Sequence, residues 1–110
     1  MLPKENRLNL STDFKWTATG KKIETKFCKL FIKAGDNTSP RVGIAVSGKV
    51  FKKATQRNRA RRLVSTALQK LYPTLPKDIN ILTLPKAGVL SVKSDDVLLD
   101  LKEGLKEEVL

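Results

Sequence analysis

The sequence has no histidine and only one cysteine, Cys28. Histidine is the commonest general base near neutral pH, and a single thiol can form neither an internal disulfide nor a cysteine-based metal cluster. Protein-based acid–base catalysis is therefore disfavoured, and no catalytic residue is expected. Aromatic residues make up only 5% of the chain. No apolar run approaches the roughly 18 residues needed to span a bilayer, and the first ten residues lack the apolar core of a signal peptide. The sequence reads as soluble, unexported and cytoplasmic, with no membrane partner. Its glycines form neither of the phosphate-cradling patterns of nucleotide-binding loops, so no cofactor is expected on the protein itself.

Acidic residues are also missing from the middle of the sequence. Residues 37 to 77 hold ten Lys or Arg and not one Asp or Glu, whereas residues 86 to 110 hold four bases against six acids. The formal charge of +11 over 110 residues is thus concentrated in the centre of what reads as one domain, residues 1–110. A field of that kind favours a polyanionic partner, nucleic acid ahead of an anionic membrane surface. Acids in the last third do cluster at Asp95, Asp96 and Asp100, the best candidates for metal ligands. In the first turns of a helix such residues also offset the helix dipole with no further role, and no metal site is assigned to them.

Hydrophobic patterning gives the elements. Ser11, Thr12 and Asp13 are candidate caps for a short helix through Phe14 and Trp16 that ends at Gly20. A weak strand over Lys21–Thr25 precedes a clear one over Lys26–Lys33, with Phe27, Lys29 and Phe31 on one face and Cys28, Leu30 and Ile32 on the other. A turn-rich stretch, 34–40, leads to a further strand over Arg41–Ser47. From Ala54 to Tyr72 the period changes: at 100° per residue Ala60, Leu63, Val64, Ala67, Leu68 and Leu71 share an arc of about 140°. Pro73 and Pro76 end that helix. A strand over Asp78–Leu84 follows, and Ser94 caps a last helix carrying Val97, Leu98, Leu101 and Leu105 on one face. The order α-β-β-β-α-β-α predicts an α+β fold, a two-layer sandwich of three helices and a four-stranded sheet.

On the long helix, Arg59 and Arg62 point away from the apolar arc, with Thr66 and Lys70 beside them, while Arg57 and Arg61 lie along its edge. Guanidinium groups bind phosphate in a two-pronged geometry and ammonium groups add diffuse charge, so this face suits an RNA backbone. A general or ribosomal-type RNA-binding structural protein would show the same composition. A helix-turn-helix DNA binder would need a second helix joined by a short turn, where strands are predicted instead. A protein nuclease would need an acidic site of its own.

The order of the residues narrows the choice. Val46-Ser47, Lys49-Val50 and Lys52-Lys53-Ala54, followed by Arg57-Asn58-Arg59 and Arg61-Arg62, resemble the signature of the bacterial ribonuclease P protein family. Arg7-Leu8 and Asp13-Phe14 resemble its opening, and Asp78-Ile79 through Pro85-Lys86 its last strand and turn. Gly48, Phe51 and Ala18 depart from the pattern, at places usually held by a lysine, a small or polar residue and an aromatic residue.

The resemblance implies a left-handed β-α-β crossover and a protein that binds a catalytic RNA and the 5′ leader of precursor tRNA. Hydrolysis then belongs to that RNA and its magnesium. By position, Lys49, Lys52, Lys53, Arg57, Asn58, Arg59, Arg61 and Arg62 would face the catalytic RNA, with Asn58 alternatively an intrahelical or loop-anchoring hydrogen bonder. The leader would lie in a cleft between the sheet and the central helix, at Phe14, Lys29, Phe31 and Lys86, although each Phe could equally be core. Trp16 has no counterpart and is expected to pack on the sheet.

Overall fold

The computed structural model describes residues 7, 8 and 10–106, and the side chains of residues 10–13 lie outside that description. Its elements are α1 (Leu10–Ala18), β1 (Lys21–Glu24), β2 (Cys28–Ala34), β3 (Arg41–Ile44), α2 (Ala54–Leu71), β4 (Ile79–Pro85) and α3 (Ser94–Lys106). Short 3-10 turns follow α2 and β4, at Tyr72–Thr74 and Ala87–Ser91. This is the predicted α+β order.

The sheet runs β1-β2-β4-β3. β1 and β4 both pair with β2 antiparallel, and β3 pairs with β4 parallel. α2 therefore serves as the crossover of a β-α-β unit whose two strands are neighbours. Beyond β3, the Leu8 amide donates to the Val42 carbonyl at 2.9 Å, so the N-terminal segment reaches that edge.

Alternation along the strands gives the sheet two unlike faces. The register aligns Ile23, Leu30, Thr83 and Ile44 in one row, and Ile32, Ile81 and Val42 in the next. That face joins Ala60, Val64, Ala67, Leu68 and Leu71 of α2 and Val97, Leu101 and Leu105 of α3 in the core. Each large aliphatic side chain fully buried there contributes about 1.5–3 kcal/mol. Tyr72 donates its hydroxyl to the Pro40 carbonyl at 2.6 Å, tying the end of α2 to the start of β3.

The opposite face holds Lys22, Phe31, Leu82 and Gly43 in one row, Glu24, Lys29 and Leu84 in another, and Lys33, Asn80 and Arg41 in a third. α1 lies across this face against β2 and β4, and Leu82 beneath it is fully buried. The sheet and the α2–α3 layer form the expected sandwich, with α1 outside it.

Local capping differs from the sequence reading at two helices. α1 begins at Leu10, so Ser11, Thr12 and Asp13 are in its first turn and not before it. At α3, Asp96 Oδ2 accepts from the Lys93 amide at 3.0 Å, which makes Lys93 the cap and Ser94 the first helical residue. Gln56 does the same for α2, its Oε1 accepting from the Lys53 amide at 3.3 Å. In each case an acceptor three residues into the helix satisfies the amide that precedes it.

Candidate nucleic-acid interface

The cationic side of α2 is built by the burial of its other side. With Ala60, Val64, Ala67, Leu68 and Leu71 turned into the core, Asn58, Arg59 and Arg62 are exposed, and Arg57 and Arg61 are half-buried along the edge. Among the described residues neither Arg59 nor Arg62 has a protein partner, whereas Arg57 Nη1 donates to the carbonyls of Phe51 (2.8 Å) and Lys52 (3.2 Å). Arg57 is thus partly spent on holding the preceding loop. Arg61 Nη1 donates to Asn58 Oδ1 at 3.2 Å, the intrahelical role considered for Asn58.

The loop before α2 displays the lysines. Phe51 is fully buried, and its amide donates to the Ser47 carbonyl at 2.9 Å. This anchor leaves Lys49, Lys52 and Lys53 exposed beside the start of α2. The Phe51 departure is therefore a core anchor and costs no charged surface. Gly48 is exposed, and a Cβ there would meet nothing within 4 Å, so its departure removes an ammonium without altering the fold. Asn58, Arg61, Arg62, Ser65, Thr66 and Gln69 line an open groove of about 280 Å³ along the helix. The unpaired positive charge fades towards Lys70, which pairs with Asp95 at 3.0 Å.

Phe14, Lys29, Phe31 and Lys86 belong to a different surface. The expected cleft between sheet and central helix does not exist, because the core fills that space. The surface bearing Lys29 and Phe31 is the opposite one, beside α1. Phe31 is half-buried there, and Lys29 and Lys86 converge on Glu24 Oε1 at 4.0 and 3.7 Å. Lys86 Nζ also donates to the Thr25 carbonyl at 2.8 Å, so this ammonium braces the β1–β2 turn. Phe14 is 37% exposed on α1, which removes it from the core.

Sequence reasoning missed Lys33. It follows Lys29 and Phe31 in the same alternation, and that spacing was signal enough. Its ammonium lies 4.8 Å from the centre of the Trp16 ring, and Trp16 itself is 41% exposed rather than packed away.

The three aspartates of the last helix are each occupied structurally. Asp95 pairs with Lys70, Asp96 caps α3, and the two oxygens of Asp100 accept from the Lys26 and Phe27 amides, both at 2.9 Å. Burial pushes the Cys28 thiol up to about 12, with the nearby Asp100 charge adding to the rise and Lys86 opposing it. Such a thiol is packing and not a nucleophile. Strands flank α2 on both sides, so it is not the second helix of a helix-turn-helix.

Known proteins share both the sequence pattern and the fold. A "Ribonuclease P protein component" of Pseudanabaena is 37% identical over 74% of this chain and 72% of its own length. One from Pseudoalteromonas atlantica is 32% identical over 71% of this chain, and the matched stretch spans 64% of that relative. The solved RNase P protein of Thermotoga maritima superposes with a TM-score of 0.80 at 26% identity, covering 92% of this chain and 96% of that one. The sequence profile of the Ribonuclease P family matches residues 2–108. With the Arg-Asn-Arg helix, the sheet topology and this match in agreement over nearly the whole length, the chain belongs to the ribonuclease P protein family.

Proposed function

We propose that this chain is the protein subunit of a ribonucleoprotein ribonuclease P, binding a catalytic RNA and the 5′ leader of precursor tRNA to promote tRNA 5′-end maturation in the cytoplasm. The observation that carries the reading is the exposed cationic side of α2, with Arg59 and Arg62 free of partners among the described residues, in a chain of this family.

In this reading Lys49, Lys52, Lys53, Arg59, Arg61 and Arg62 neutralise phosphates of the catalytic RNA, with the uncharged Asn58 beside them on the same face. Counterions released from the RNA then drive association. Arg57 acts mainly by fixing the loop that displays the lysines. Phe14, Phe31, Lys29 and Lys86, on the α1 side of the sheet, receive the leader, whose unpaired bases can stack on aromatic rings. Bringing two polyanions together costs electrostatic work, which the subunit lowers, and so it reduces the magnesium needed. Magnesium held by the RNA supplies the hydrolytic chemistry, and no residue of this chain is asked to move a proton.

The test is reconstitution with the RNA subunit of the same organism, assaying 5′ processing at low magnesium. Cleavage that depends on both components is expected. Processing indifferent to the protein refutes the assignment, and cleavage by protein alone after ribonuclease treatment refutes catalysis by RNA.

A further inference from the structure

α1 presents two flanks. Thr17 is fully buried against the sheet, and helical geometry of about 100° per residue puts Phe14 and Ala18 to one side of it and Trp16 to the other. Trp16 is 41% exposed, a large apolar surface to leave in water on a protein with so few aromatic residues.

The indole is nonetheless held. Lys33 Nζ lies over it at 4.8 Å from the ring centre, a cation–π contact. Thr19 Oγ1 accepts from Lys33 Nζ at 2.7 Å and donates to the Trp16 carbonyl at 2.6 Å, which locks ammonium, helix end and ring together. The far end of the ring rests against Gly35, where a Cβ would come within 3.1 Å of Trp16 Cη2 and 2.8 Å of Asn80 Nδ2. A ring fixed by these contacts loses little further freedom when something stacks on the surface they leave open. No carboxylate among the described residues pairs with Lys33, so its ammonium keeps a donor for an anion. On the same sheet row Asn80 separates Lys33 from the exposed Arg41.

We infer that Trp16 and Lys33 form a second stacking platform, on the flank of α1 away from Phe14, for an unpaired nucleotide of the RNA leader. The ring takes a base face and the ammonium the adjoining phosphate. A duplex, whose base faces are already stacked, does not fit this chemistry. The inference rests on the leader-binding reading above and adds a site to it.

Trp16 is the only tryptophan in the chain, so its own emission reports on the platform. Titrating the full chain with a short single-stranded oligoribonucleotide should quench that emission saturably, and the same sequence as a duplex should quench it far less. In Trp16→Leu, affinity for the labelled single strand should fall by about tenfold. Trp16→Phe should restore most of it, and Lys33→Gln should weaken it in part. Unchanged thermal stability and circular dichroism in Trp16→Leu separate this from a folding defect. An unquenched indole, or a Leu variant as tight as the native chain, overturns the platform. With the reconstituted complex, full leader preference retained by Trp16→Leu refutes the platform alone. A native chain that binds leader-bearing and mature tRNA equally refutes the leader reading itself.

Discussion

Replacing Arg59 and Arg62 together by alanine tests the cationic face with little disturbance to the fold. Both residues are exposed and their guanidinium groups have no partner among the described residues, and alanine is the better helix former, so stability should change by no more than about 0.5 kcal/mol. Binding is another matter. Each phosphate contact contributes about 0.7–0.9 to the slope of log affinity against log salt, so losing two should flatten the line by about 1.5. Between about 50 and 200 mM salt, a fourfold change, the gap between native and variant should shrink by close to tenfold. Filter binding or calorimetry against the catalytic RNA over a salt series measures this, with melting curves as the fold control. Arg57→Ala supplies the contrast: losing its donors to Phe51 and Lys52 should cost about 1.5–3 kcal/mol of stability. Parallel salt lines for native and double variant, however weak the variant, would refute the claim that these two side chains meet phosphate.

Phe14→Ala should leave stability within about 1 kcal/mol, since the ring is already 37% exposed, while lowering affinity for leader-bearing substrate by about 1–3 kcal/mol. A stability loss of core size in a melting experiment would return the ring to the interior. Asp100→Ala should destabilise by about 2–4 kcal/mol, because two backbone amides of the β1–β2 turn lose their acceptor; denaturant unfolding measures it. Cys28 should resist iodoacetamide in the native state and react only on unfolding. Its folded value of about 12 exceeds the ordinary thiol value of 9.0, so the stability it contributes is present below pH 9 and is lost as pH rises towards 12. Comparing Cys28→Ala with the native chain across that range isolates the effect.

The long helix was legible because one pattern carried both of its jobs. The same 100° periodicity that buries Val64, Leu68 and Leu71 also leaves Arg59 and Arg62 outside, so fold and candidate site were read together. β2 was legible for a similar reason: alternation placed Cys28 and Leu30 opposite Lys29 and Phe31, as the register has them. Alternation does not say which face a helix will cover, however. Sequence alone gives no strand order, and the β1-β2-β4-β3 arrangement turns the aliphatic face of β2 towards α2, which leaves Lys29 and Phe31 on the opposite face and not between sheet and central helix. Phe51 was legible only as a departure from the family pattern, because nothing local marks a loop residue whose ring is drawn into the core. Trp16 was opaque for the converse reason: a tryptophan on an amphipathic helix ordinarily packs, and only Lys33 and Gly35, brought in from β2 and its turn, hold it at the surface.

The start of α2 works against its own stability. A helix N-terminus carries the positive end of the dipole, and each cation placed there costs about 0.3–1 kcal/mol at low ionic strength. This helix opens with Lys52, Lys53, Arg57 and Arg59 nearby and no acid in its first turn, although α3 of the same chain opens with Asp95 and Asp96. The tertiary contacts of Val64, Leu68 and Leu71, together with the Gln56 cap and the Arg57 anchor, keep α2 folded despite that cost. A phosphate backbone would convert the same cations from a penalty into binding energy. The local conflict thus lies where the proposed polyanionic partner would relieve it, and the acidic opening of α3 lies where no such partner is proposed.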